Sequence, residues 1–192
     1  MRSSAREFKC LKCIQCCVFT SESDHPLVFP WEKRLLEIRA LNYRVGEVKF
    51  APRLVYELPD REQVVVLYEW LINGRCSFNK DSTCLIHGEH PLVCKMYPLT
   101  IGVWDKTLRV SMQCTWVKEN KWILNNSIDL RKVFREELKN ALLAYIIIES
   151  IINAIEKDKG VLVRENYDAA RLIDVDEVYS GINGLQNIME EY

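Results

Sequence analysis

The chain has almost no excess of charge: 26 Lys and Arg stand against 27 Asp and Glu, for a formal net charge of -1. A protein drawn to nucleic acid or to an acidic membrane surface by its overall field needs a basic surplus, and none is present. The first residues, Met1-Arg2-Ser3-Ser4-Ala5-Arg6-Glu7, lack the apolar stretch of a secretory signal. Long hydrophobic runs are missing as well. The greasiest segment, residues 141–155, is interrupted by Glu149 and Asn153, whereas a bilayer crossing needs roughly 20 largely uninterrupted apolar residues. No H-E-x-x-H, G-x-S-x-G, P-loop or G-x-G-x-x-G pattern occurs, and there is no internal repeat or low-complexity tract. These absences argue against a membrane span and against the common hydrolase and nucleotide-binding signatures. They make a reducing cytoplasm the expected setting.

What the chain does have is sulfur. Four cysteines stand in eight residues, Cys10-x-x-Cys13-x-x-Cys16-Cys17, and four more follow at Cys76, Cys84, Cys94 and Cys114. In a reducing compartment, thiols packed this tightly read as metal ligands sooner than as disulfides. The intracellular proteins of hyperthermophiles are the exception to that rule. A Cys-x-x-Cys step turns the chain back so that two thiolates meet one ion, and the second step adds Cys16. Ferredoxin-type iron–sulfur runs use three such cysteines and a remote fourth followed by proline; Cys94-Lys95-Met96-Tyr97-Pro98 is a loose counterpart. Structural zinc sites use the same two-residue step. Neighbours in an extended chain point to opposite sides, so Cys16 and Cys17 are expected to serve different centres, and eight thiolates divide into two four-ligand sites. Lys9, Lys12, Arg75 and Lys95 flank the ligands and are available to offset their negative charge. His87 and His90 lie inside the second cysteine segment, where imidazole can replace a thiolate; the plainer reading is a pair of loop histidines. His25 is a weaker candidate. His87-Gly88-Glu89 begins like a zinc deaminase signature, but no Cys-x-x-Cys follows Pro91.

Hydrophobic residues make up 48% of the 192 positions and aromatics 10%, enough for a sizeable core. Pro30 opens a helix whose apolar positions are Trp31, Leu35, Ile38 and Leu41, with Gly46 as its stop. Residues 47–72 alternate as strands, broken by Pro59-Asp60. Two short strands flank Asp105-Lys106-Thr107. The longest element is a helix over residues 128–157, capped by Ser127, with an apolar face suited to core packing or to a partner protein. The tail, 161–192, is expected to form one or two short helices. The fold class that follows is α+β: a small antiparallel sheet beside cysteine-rich metal-binding loops, with a helical C-terminal part. The metal-binding region is placed at 1–120 and the helical region, packed on it, at 121–192, in one compact domain.

The four cysteine segments, with Arg75-Cys76-Ser77-Phe78, Cys84-Leu85-Ile86-His87 and the run from Pro91 to Pro98, resemble the YkgJ-like family, named for its CxxCxxCC motif. Cys114 and Pro30-Trp31-Glu32 match it too, so the likeness covers roughly residues 8–116. His90 and Lys95 stand where the family commonly carries Arg or Lys and Arg. The resemblance implies zinc or iron chelation, often as an iron–sulfur cluster (4Fe-4S). Flagellin lysine N-methylases are related to this cysteine family, which implies methyl transfer as an alternative, although no residue here is identified for a methyl donor. A zinc-stabilised interaction module is the third alternative.

Overall fold

The computed structural model describes residues 7–21, 24–102, 105–125, 128–164 and 167–181. By contact, the chain divides into two compact units, each built from two separate stretches: Met1–Phe19 with Gly74–Tyr145, and Thr20–Asn73 with Ile146–Tyr192. The fold class is α+β, with small antiparallel sheets and a long helix toward the C-terminus, as the sequence implies.

The second unit is organised by a long hairpin, Lys49–Glu57 against Gln63–Leu71, closed around Pro59-Asp60 by a bond from Arg61 N–H to Leu58 O. Val64, Val65, Val66 and Leu67 are fully or almost fully buried. Such a continuous β-branched run is what a strand covered on both faces requires. Leu27–Val28 pairs antiparallel with Gln63–Leu71, and Val161–Val163 pairs antiparallel with Lys49–Glu57. Leu172–Asp174 runs parallel to Gln63–Val65. The tail therefore departs from the helical expectation: two of its pieces are sheet strands, and one turn of helix, Val175–Val178, follows.

Pro30–Tyr43 is the expected helix, with Pro30 in its first turn and the Glu32 carboxylate accepting the Phe29 N–H. Its buried face differs from the expected one. Trp31, Glu32, Leu36 and Ala40 are buried, whereas Ile38 and Leu41 are exposed. The buried stripe is set by what the helix lies against, and periodicity alone cannot choose between two adjacent apolar stripes. The helix stops at Arg44, in the left-handed region, ahead of Gly46.

The expected 128–157 helix is two helices, Leu130–Val133 and Arg135–Lys157, broken at Phe134. Phe134 is fully buried and packs against Phe8 and Trp116, ring centroids 5.3 and 5.9 Å away. Asp129 caps the first piece through the Arg131 N–H; the expected cap, Ser127, lies outside the described residues. By length and composition alone, Arg135–Lys157 is apolar enough to cross a bilayer. Ala141, Ala144, Ile147, Ile151 and Ile155 are buried at helical spacing along it.

In the second unit, Arg34 on the Pro30–Tyr43 helix donates to Asp174 at 2.8 Å and also to Asp176, while the Tyr68 hydroxyl donates to Asp174 at 2.7 Å. The Arg34 side chain is 41% exposed, which tempers the gain. Replacing Arg34 with Ala is expected to destabilise this unit by about 1–2 kcal/mol, because two carboxylates lose their cation. Denaturant titration reads the loss, and hydrogen exchange should show it first at Leu172–Asp174.

Candidate metal centre

All eight cysteines fall in the first unit, and all eight are free thiols. Two distant stretches are brought together by backbone pairing. Val18–Phe19 pairs antiparallel with Gly74–Arg75, and the Cys76 N–H donates to Cys17 O at 2.8 Å. A turn from Cys76 to Asn79 follows, closed by Asn79 N–H to Cys76 O at 3.0 Å, and Asn79 is then the cross-strand partner of Cys84 in the hairpin Asn79–Lys80/Thr83–Cys84. Cys94 sits on the short helix Leu92–Lys95. Cys114 caps the helix Thr115–Glu119, and the next residue, Thr115, has its hydroxyl 3.4 Å from Cys13 Sγ. Phe8 fastens the start of the first cysteine loop. Its N–H donates to Val133 O at 2.7 Å, and its ring meets Trp116 edge-on at 5.1 Å.

Cys10 Sγ accepts the backbone N–H of Lys12, two residues on, at 3.4 Å. Backbone N–H groups of Gln15 near Cys13, of Phe78 and Asn79 near Cys76, of Ile86 near Cys84, and of Trp116 and Val117 near Cys114 act to lower those thiols. A donor of this kind favours the thiolate over the thiol, and the thiolate is the metal-binding form. Lys12 and Ile14 take left-handed backbone angles, which fold the first loop tightly enough to turn these N–H groups inward.

Burial opposes ionisation, and the balance differs from one cysteine to the next. It pushes Cys76 up to about 12, ahead of the relief from its N–H donors. It also raises Cys84 and Cys114. At Cys13, burial is outweighed by the Thr115 hydroxyl and the surrounding N–H groups, and the thiol is lowered. Cys16 and Cys17 behave as a pair. Cys16 hydrogen-bonds to Cys17 and is pushed up by that bond, by burial and by the charges of Cys17, Cys94 and Cys10. Cys17 is lowered to about 7 by the same bond, against burial, with help from the Asn79 amide and the Arg75 guanidinium. The two thiols therefore ionise as a pair, one well before the other.

One expectation needs correction. Cys16 and Cys17 are not on an extended chain: Gln15–Cys17 is a single 3-10 turn, and the two sulfurs stand 4.0 Å apart. Ligands of a tetrahedral zinc–thiolate site at about 2.3 Å from the metal lie about 3.8 Å from one another, so adjacency in sequence does not by itself keep this pair off one ion.

Among the described residues, no three His, Cys, Asp or Glu side chains already converge on one point closely enough to hold a metal ion. The backbone brings Cys17 beside Cys76 and sets Asn79 opposite Cys84, but it does not lock the side chains in a ligand cage. The donor set fits a thiophilic metal: eight thiols, sulfur-facing N–H groups and a buried amide, with Arg75 beside Cys17. The two nitrogens of the His25 ring lie 2.9 Å from Glu69 Oε1 and 3.0 Å from Ile72 O, in the other unit. Its ring is occupied there and is not offered to the cysteines. The rings of His87 and His90 lie 5.3 Å apart in the loop between Cys84 and Cys94. Sequence reasoning named Arg75 but missed Thr115 and Asn79. Thr115 follows a cysteine directly, which is a usable signal. Asn79 carries none, because its place beside Cys17 exists only once the strands pair.

In comparisons with known proteins, a family model described as "CxxCxxCC: Putative zinc- or iron-chelating domain" matches residues 9–122, more than half of the chain. No curated protein and no solved structure matches it.

The unequal thiols give a direct readout. In the reduced, metal-free protein, alkylation of Cys17 should rise through about pH 7 and be near its plateau by pH 8, because a lowered pKa keeps the thiolate present to lower pH. Cys76, held near 12 and buried, should stay unlabelled over the same range. Peptide mass spectrometry measures both, and equal labelling of the two would contradict the assignment.

Proposed function

We propose that this chain, which belongs to the CxxCxxCC family of zinc- or iron-chelating domains, holds metal through the thiolates of Cys10, Cys13, Cys16, Cys17, Cys76, Cys84, Cys94 and Cys114, and that the metal of the first loop is an iron–sulfur cluster. The observation that carries the reading is the pairing of Val18–Phe19 with Gly74–Arg75, which brings the first cysteine run beside Cys76, together with the Lys12 N–H that donates to Cys10 Sγ. Loops folded this way stabilise charge on sulfur, which a free thiol does not need and a ligand does.

Iron–sulfur is favoured at the first loop by its three-cysteine run and by the company it keeps. Cys16 feels the charges of both Cys10 and Cys94, so the remote cysteine of the ferredoxin-like pattern stands near the run. A bound cluster supplies one-electron chemistry. The residues of this chain do the rest. Cys10, Cys13, Cys16 and Cys94 are the ligands. The N–H groups of Lys12 and Gln15 and the Thr115 hydroxyl bond to sulfur, which sets how easily the centre accepts charge. Phe8, Trp116 and Phe134 pack together and anchor the start of the loop. The role that follows is electron transfer or cluster handling in a reducing cytoplasm, where the thiols stay available for metal.

Purification without oxygen, with iron, acid-labile sulfide and zinc measured per chain, tests the reading. The expected result is brown protein with an absorption near roughly 400 nm that dithionite bleaches. Cys13→Ser and Cys94→Ser should each lose iron and melt at lower temperature. Full metal content and an unchanged melting temperature in both variants would sink it.

A further inference from the structure

We propose that the cysteine-bearing unit is also a binding surface for single-stranded nucleic acid, on which exposed lysines and Arg135 hold phosphates and the Trp122 ring stacks on a base. This surface does not depend on which metal the cysteines hold.

The chain's net charge of -1 is the sum of two opposed units. Met1–Phe19 with Gly74–Tyr145 carries 15 Lys and Arg against 8 Asp and Glu, a formal +7. Thr20–Asn73 with Ile146–Tyr192 carries 11 against 19, a formal -8. Exposed charges more than a Debye length apart, roughly 8 Å in physiological salt, are largely screened from one another. A partner on one surface therefore responds to the charges of that surface and not to the total. The near-zero balance of the whole chain excludes nothing for the cysteine unit.

Part of this positive charge stands round one cluster of rings. Phe8 meets Trp116 and Phe134 at 5.1 and 5.3 Å, Trp116 meets Trp122 at 6.3 Å, and the Phe8 N–H donates to Val133 O. Lys9 follows Phe8, Lys118 lies two residues after Trp116, Lys121 precedes Trp122, and Lys132 and Arg135 bracket Val133-Phe134. All five are exposed, and none is ion-paired among the described residues. The acids of the same stretches are partly engaged. Asp129 holds Arg131 and Glu136 holds Lys139, which leaves Glu7, Glu119 and Glu137. A surplus of cations by itself suits any anionic partner.

Trp122 narrows the choice. It is 37% exposed, although Trp116 packs against it with the ring planes at 72°. Its N–H is held by Asn120 Oδ1 at 3.1 Å. The indole is thus fixed in orientation, with its polar atom already engaged and more than a third of its surface open. An exposed ring between Lys118 and Lys121 is the combination that single strands use, with bases stacked on the ring and phosphates on the cations. An acidic protein surface needs only the cations, and a duplex has no unstacked base to offer the ring.

Fluorescence anisotropy of a labelled single strand of about 12 nucleotides, titrated with the full chain prepared without oxygen, tests the proposal. Binding is expected at about 1–100 μM, with log K falling against log salt at a slope of about -2 to -3, as for three or four phosphates on a single strand. Trp122→Ala should weaken binding about tenfold and leave that slope in place, and Trp122→Phe should recover most of the loss. Lys118→Ala combined with Lys121→Ala should weaken binding and flatten the slope by about 1.4, with unchanged circular dichroism and metal content. Both lysines are exposed, so this pair keeps the test decisive if Trp122→Ala fails to fold. Lys159→Ala, in the acidic unit, should change nothing. Absence of binding at low salt, or a folded Trp122→Ala that binds as wild type does, would overturn the proposal. So would a polyglutamate chain or a duplex that binds as tightly as the single strand, the first marking a site for an acidic protein. A dimer that dissociates with salt and with the lysine pair would also overturn it, because the acidic unit of a second copy would then occupy the surface.

Discussion

The first unit depends on a single pairing. Val18–Phe19 lies against Gly74–Arg75, and the Cys76 N–H reaches Cys17 O. The 54 residues Thr20–Asn73, which belong to the other unit, separate the two strands in sequence; in the first unit the strands meet directly. Gathering thiols is unfavourable in itself, because burial raises their pKa and any thiolate repels the next. The pairing supplies backbone bonds that do not depend on the sulfurs, and the sulfurs are then held near one another without being bonded to one another.

The sulfur-facing N–H groups turn that gathering into chemistry. They place fixed dipoles where negative charge must reside, at no cost in side-chain ordering. The thiols are not alike: contact with Cys16, against burial and with help from Asn79 and Arg75, lowers Cys17 to about 7, whereas burial pushes Cys76 up to about 12. The second unit is stabilised by other means. Its buried valines and the Arg34–Asp174–Tyr68 network tie a helix and two tail strands to the long hairpin without any cysteine.

Much of this was legible in the chain. The hairpin at Pro59-Asp60, the helix opening at Pro30 and the clustered thiols follow from local rules of turn chemistry, first-turn proline and ligand spacing. The break at Phe134 was not legible, because it follows from the packing of Phe8 and Trp116 against that ring. The exposed Ile38 and Leu41 were expected inside, since their spacing fits a helix face as well as Leu36 and Ala40 do. The tail strands Val161–Val163 and Leu172–Asp174 are three residues each, too short to show a period, and each becomes a strand only beside its partner.

The sequence by itself determined that the protein is rich in thiols at ligand spacing and that its elements mix helix and strand, because spacing and turn residues act over a few bonds. Only the tertiary structure decided which cysteines are neighbours, that Cys16 and Cys17 share a turn, and that Asn79 stands beside them. Those facts depend on strand pairings between residues far apart in the chain, and no local pattern encodes which distant strand a strand will meet.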